Sequence, residues 1–290
     1  MNRLIAELQR LYFLHDQQWH LLETDNADGF GALAECIITD EIVACSLAGE
    51  LNAAIDLVGA DGQVRAMVVD FSRATDWEQV ARLFNEIQEH LELPAPAISV
   101  SAKAGYQLWL SLAESVPAAQ AEAFLNELCL KYLREIPRSQ LRHLPQSNEP
   151  VSADGRLLPL APALDRRTGK WSAFIDPTMG SMFTEAPGLE MAPNLDRQAD
   201  ILSRLKCIKA EEFQRALSRL QTEASASPTE PAPVKLSPDS PNTCSTLSIG
   251  NDFSDPKSFL LAVMNDPSAT TGQRINAAKA LLPYFEITRP

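Results

Sequence analysis

The sequence predicts an α+β fold, a mixed sheet flanked by helices, followed by a linker and a small helical tail. Three observations carry this. Residues 66–112 read strand, helix, strand, turn, strand, each with its own hydrophobic period. On both sides of that unit, amphipathic helical stripes alternate with short apolar runs. Residues 223–250 are rich in Pro, Ser and Thr, a composition that buries too little apolar surface to offset the entropy of ordering. The expected organisation is a domain over 1–222, a linker over 223–250 and a two-helix segment over 251–290. A chain of 290 residues is long enough for one sizeable core plus such an appendage.

Leu4, Ile5, Leu8, Leu11 and Tyr12 recur at helical spacing and predict an opening amphipathic helix. His15 and His20 follow in HDQQWH, where five-residue spacing puts them on different helix faces, so a polar helix end is expected rather than a metal site. DGFG, with Gly29 and Gly31, marks a turn, because it lacks the lysine and the strand-turn-helix setting of a phosphate cradle. Asp56 in AAIDLV is expected to be exposed at an edge, and GADG at 59–62 reads as a hairpin loop.

The next strand, AMVVDF, puts Ala66, Val68, Asp70 and Ser72 on one face and Met67, Val69 and Phe71 on the other. A carboxylate among apolar neighbours needs a partner or a function, because an unpaired buried charge costs several kcal/mol, on the order of the whole stability margin. Thr75 and Glu78 have capping-box spacing ahead of a helix whose stripe includes Trp77, Val80, Leu83, Phe84 and Ile87. In YQLWLSL, Tyr106, Leu108, Leu110 and Leu112 share one face. Gln107, Trp109 and Ser111 share the other, which is polar enough to line a cleft.

Pro117 is placed to begin a helix carrying Ala121, Phe124, Leu125, Leu128 and Tyr132, and Pro137, Pro145 and Pro150 then interrupt regular structure. Residues 154–176 read as a loop, a short apolar strand, a Thr168-Gly169 turn and the strand WSAFID. Asn194 or Asp196 opens the next helix, and Phe213, Ala216, Leu217 and Leu220 mark another. In the tail, Asp255-Pro256 and Asp266-Pro267 each place an N-cap acid before a first-turn proline. So small a unit, with so few apolar side chains, is expected to dock on its own core or on a partner.

The formal charge of −13 argues against broad affinity for nucleic acid, which rests largely on Lys and Arg. Only residues 131–170 are locally basic, with Lys131, Arg134, Arg138, Arg142, Arg156 and the group Arg166, Arg167 and Lys170 outnumbering Glu135, Glu149, Asp154 and Asp165. Cys36, Cys45, Cys129, Cys207 and Cys244 form neither a zinc signature nor a disulfide framework. No apolar run is long enough for a membrane span and MNRLIAELQR is not a signal peptide, so a cytoplasmic location without a membrane partner is expected.

The order VVDFS, a helix, SVSAKAGYQLWL, then DGRLLPLAPALDRRTGKWSAFID resembles the archaeo-eukaryotic primase superfamily, and most closely its TOTE conflict-system type, over roughly Met1 to Leu220. The resemblance implies a primase-polymerase-like sheet and two-metal nucleotidyl transfer, in which alternate carboxylates of one strand hold both ions. It also implies where this chain departs. The family's Asp-x-Asp is Asp70 and Ser72, its phosphate-contacting His is Gln107, its motif Gly is Ala102 and its early His is Ser46. The third acidic position falls on Glu135 if REIPRSQ matches the following Pro-Lys-Gln-like segment, and on Arg142 if LRHLPQ does. The second register is preferred for its spacing to Gly155. If it holds, Arg142 neutralises Asp70 in place of a metal.

The resemblance therefore implies a catalytically degenerate primase-polymerase-like protein of a mobile element or prophage, with Asp70, Ser72, Gln107 and Glu135 as its degenerate catalytic positions. Arg142, Arg166, Arg167 and Lys170 are expected to contact single-stranded DNA or RNA. No cofactor is expected. An active enzyme with an altered site would need Mg or Mn, and an acidic adaptor would bind no nucleic acid. The tail resembles a short helical segment of phage and mobile-element proteins, including terminase small subunits, and is expected to recruit a helicase or another replication or phage protein.

Overall fold

The computed structural model describes residues 1–21, 36–103, 105–146 and 156–225. The expected linker beyond residue 225, the two-helix tail, the turn at Gly29 and Gly31, and Cys244 lie outside them. The described strands are β1 (Gln18–Leu21), β2 (Cys36–Ile37), β3 (Ala53–Asp56), β4 (Gln63–Phe71), β5 (Ala97–Val100), β6 (Tyr106–Pro117), β7 (Leu141–Leu144), β8 (Leu157–Pro159), β9 (Leu164–Asp165), β10 (Lys170–Trp171) and β11 (Ala173–Ile175). The helices are α1 (Asn2–Leu11), α2 (Asp40–Leu47), α3 (Trp77–Glu89), α4 (Ala118–Tyr132), α5 (Leu195–Ser203) and α6 (Ala210–Ser225).

A five-stranded sheet in the order β11-β5-β6-β4-β7 forms the centre, and each of its ladders is antiparallel. The two-residue period of β4 and β6 gives it two buried faces. Met67, Val69 and Phe71 join Tyr106, Leu108 and Leu110 against α3, α4 and α6, whose buried contacts include Leu83, Phe124 and Phe213. On the opposite face Ala66, Val68, Trp109 and Phe174 pack with α1, α5 and a second sheet in the order β2-β1-β3-β8. The fold is α+β, as the strand and helix periods predict.

Burial on both faces overturns one expectation. The face bearing Gln107, Trp109 and Ser111 is not an open cleft, since the three are 8%, 2% and 7% exposed. Gln107 and Trp109 are tolerated there because both bond Ser99 Oγ, and the Trp109 ring fills the core between Tyr12 and Phe174 at centroid distances of 5.1 and 5.8 Å. Asp56 is not an exposed edge acid either. Strand β3 lies between β1 and β8, and the Asp56 carboxylate is buried with Arg156 Nη2 2.5 Å from Oδ2 and the Val58 N–H donating to Oδ1 at 3.1 Å. His20 stands on β1 and is buried, not at a helix end.

The capping box at Thr75 and Glu78 does not form. A 3-10 turn over Ala74–Asp76 moves the α3 N-cap to Asp76, which places Glu78 one position too early for the reciprocal bond, and Thr75 Oγ1 accepts from Arg73 instead. Between the two candidates for the α5 start, Asn194 is the cap, its side chain accepting from the N–H groups of Asp196 and Arg197 at 3.0 Å. At the Val64/Ala66 register shift, Arg65 reaches the carbonyls of Gln9, Arg10 and Phe13 at the end of α1, and so ties that helix to the sheet.

Gly105 fixes the start of β6. A Cβ there would sit 1.7 Å from the Phe71 carbonyl oxygen, so only glycine lets the β5–β6 turn close on the end of β4. Gly105→Ala is expected to lower the thermal midpoint by about 10 °C or more, on the order of 4 kcal/mol at 2–4 °C per kcal/mol for a domain of this size. A melt by circular dichroism measures it, and a shift under about 3 °C would show that the turn has room to move.

Candidate functional site

The end of β4 carries a row of polar side chains that crosses the central sheet. Arg142 on β7, Asp70 on β4, Gln107 on β6 and Ser99 on β5 are successive cross-strand partners, so their side chains project from the same face. Arg142 Nη2 donates to Asp70 Oδ2 at 2.9 Å. Gln107, facing Asp70 across the β4–β6 ladder, favours its charged form. Its Oε1 accepts from Ser99 Oγ at 3.2 Å, so its amide nitrogen is the group that faces the carboxylate. Trp109 Nε1 donates to Ser99 Oγ at 2.9 Å and closes the chain of bonds inside the core.

Asp70 is recessed but not sealed, with 19% of its side chain exposed against 23% for Arg142. Burial raises the Asp70 pKa above its ordinary 3.8, opposed by the Arg142 charge and hydrogen bond, the Gln107 side chain and the charge of Lys103. The carboxylate is thus neutralised by a guanidinium. Ser72 lies one residue past the end of β4, exposed, with its N–H donating to the Gln140 carbonyl at 2.9 Å.

Glu135 is not part of this row. Its carboxylate is 73% exposed and 3.7 Å from Arg82 of α3, which packs on the opposite face of the sheet from Asp70. Register therefore places Arg142, not Glu135, beside Asp70. Among the described residues no group of three or more His, Cys, Asp or Glu side chains could hold a metal. One carboxylate already bonded to a guanidinium does not fit a two-ion site.

The expected nucleic-acid contacts divide. Arg166 Nη2 donates to the Glu50 carbonyl at 2.5 Å, and Lys170 Nζ lies 3.3 Å from the Pro187 carbonyl and 3.5 Å from Glu190. Arg167 is exposed, without a protein partner for its guanidinium among the described residues. Thr168 Oγ1 donates to the Ala102 carbonyl at 3.2 Å, which joins the β9–β10 turn to the β5–β6 turn. That contact brings the segment of Arg167 and Lys170 beside Lys103, whose charge reaches Asp70. Lys103 and Ser99 escaped sequence analysis. Ser99 shares a strand face with Ala97 and only the cross-strand register gives it a partner, while nothing in AKAG sets Lys103 apart from an ordinary loop lysine.

These features belong to a known class. Residues 29–212 match the family described as "TOTE conflict system, Archaeo-Eukaryotic Primase domain", and the chain belongs to that family. Among solved structures it is similar to the archaeo-eukaryotic primase domain of the cyanophage S-2L primase-polymerase, at 12% identity and a TM-score of 0.41, over 69% of this chain and 97% of that one. None of the curated proteins matches it in sequence.

Removing Arg142 leaves Asp70 with only the influence of burial and weaker donors, so its folded-state pKa rises further above 3.8. An acid with a raised folded-state pKa favours the native state at low pH, and that contribution is lost as pH climbs through the folded pKa. Arg142→Ala is therefore expected to cost about 1–3 kcal/mol at pH 8, below the usual figure for a sealed pair because both groups are partly solvated, and less as pH falls toward 4. Urea denaturation across that range measures it. An equal deficit at every pH would show that Arg142 acts by packing alone.

Proposed function

We propose that this domain no longer transfers nucleotides and serves a mobile element's replication or defence system as a binding module for single-stranded nucleic acid. The observation that carries this is the Arg142 guanidinium on Asp70. Two-metal transfer requires carboxylates free to hold ions and cationic groups on the phosphates. Here the surviving acid is committed to an arginine, and Ser72 and Gln107 carry no charge. Loss of one electrostatic group commonly costs about a hundredfold to a thousandfold in rate, and this site has lost several.

Binding needs none of that machinery. Lys103, Arg167 and Lys170 on the joined turns offer a cationic rim to a phosphate backbone. A second reading, a protein adaptor, draws on Arg166 and Lys170 being held by the protein itself and on the formal charge of −13. In either case the segment 251–290 is the part proposed to recruit a helicase or another replication or phage protein.

Purified protein with primer-template, all nucleotides and manganese is expected to make no product. Anisotropy with labelled single-stranded DNA and RNA is expected to show affinity falling with salt at a log-log slope near −2, about three phosphates for single strands, and Arg167→Ala should flatten that slope by about one contact. Template-dependent synthesis lost in Asp70→Ala would establish an active enzyme. Absence of both activities would leave the adaptor.

A further inference from the structure

On the other side of β7 from the Asp70–Arg142 pair lies a second candidate site. His143 is the cross-strand partner of Val69 and so faces the helical side of the sheet, where the C-terminal half of α4 stands over the edge strand. Between helix and strand is a cavity of about 480 Å³, within the size range of small-molecule pockets. Its lining divides by chemistry. Leu133, Ile136 and Leu141 supply an apolar floor, Asn126 and Gln146 supply carboxamides, and Arg134 and Arg138 supply charge.

Two arginines line this one cavity. Several arginines elsewhere in the described structure are matched to carboxylates, as with Arg3 and Asp200, Arg82 and Glu135, Arg156 and Asp56, or Arg215 and Glu92. Arg134 and Arg138 have no such partner among the described residues. Arg134 uses Nε on the Leu130 carbonyl at 2.6 Å, which orients its guanidinium and leaves both terminal nitrogens available. The only acid in the lining, Glu122, acts electrostatically on His143, and burial holds His143 below the ordinary imidazole range, so it enters at neutral pH as an uncharged hydrogen-bonding group.

We infer that the cleft between α4 and β7 binds a nucleotide through its phosphate and its ring, at a place separate from the Asp70 face. The two guanidiniums bind the phosphate monoester in the manner for which arginine forks are suited. The apolar floor takes the flat ring, and the carboxamides of Asn126 and Gln146 each present a donor and an acceptor to its polar edge. A free mononucleotide and the 5′-phosphorylated end of a single strand offer the same chemistry. The inference goes beyond the proposed function, since it involves neither the Asp70 row nor the Arg167 rim.

The test is calorimetry on the full chain in EDTA with AMP, adenosine, inorganic phosphate, and short single strands carrying either a 5′-phosphate or a 5′-hydroxyl. AMP, the 5′-phosphorylated strand or both should bind saturably, with adenosine and phosphate at least about tenfold weaker because each satisfies half of the site. Preference for the phosphorylated over the hydroxyl strand identifies the strand end as the source, and AMP binding alone identifies the free nucleotide. Arg134→Ala/Arg138→Ala, at exposed positions, should weaken binding at least about tenfold with an unchanged circular dichroism melt, and Arg138→Lys should recover part of the loss. No saturable binding of any nucleotide, or binding that survives the double substitution, overturns the inference.

Discussion

The ion pair between Asp70 and Arg142 is the constraint around which the central sheet is arranged. A carboxylate recessed at the end of a core strand is tolerated only if its charge is matched and its lone pairs are filled. Arg142 on one neighbouring strand matches the charge and Gln107 on the other faces the carboxylate, and the need propagates from there. Gln107 satisfies its carbonyl with Ser99, and Ser99 satisfies the Trp109 indole, which packs with Tyr12 and Phe174. Gln198 of α5 bonds both the N–H and the carbonyl of Phe174 on the edge strand β11, at 2.7 and 2.9 Å. A polar row thus runs from the β7 edge of the sheet to β5, and Gln198 separately ties the β11 edge to α5. Such a row fixes strand register, because a slip of one residue would bury Asp70 against apolar neighbours.

The same row bears on function. Under the proposed function, this face of the sheet has given up metal-dependent chemistry. It is occupied by side chains, with the Asp70 carboxylate matched by the Arg142 guanidinium. Lys103 and Arg167, both exposed, lie on the turns beside it.

Much of this was legible in the sequence, and the parts that were not share a cause. The β4–α3–β6 unit declares itself through local period, and Asn194 through its place ahead of a helix. Asp70 demanded a partner on energetic grounds alone, and family spacing pointed to Arg142. The buried nature of the Gln107, Trp109 and Ser111 face was not legible, because it depends on α1 and the β2-β1-β3-β8 sheet folding over it from elsewhere in the chain. Asp56 was misplaced for the same reason, since its partner Arg156 is 100 residues away. Polar residues on a strand show that a partner is required; they do not show whether it is water, a ligand or another strand.

The central claim is that a guanidinium stands where metal would neutralise Asp70, and manganese titration followed by electron paramagnetic resonance tests it most directly. The signal of free manganese is expected to rise in proportion to added ion, without a stoichiometric bound fraction at concentrations up to about ten times that of the protein. Ser72→Asp/Arg142→Asp, which returns carboxylates to the row, is expected to create such a fraction. Stoichiometric binding by the unaltered chain, abolished by Asp70→Asn, would contradict the account.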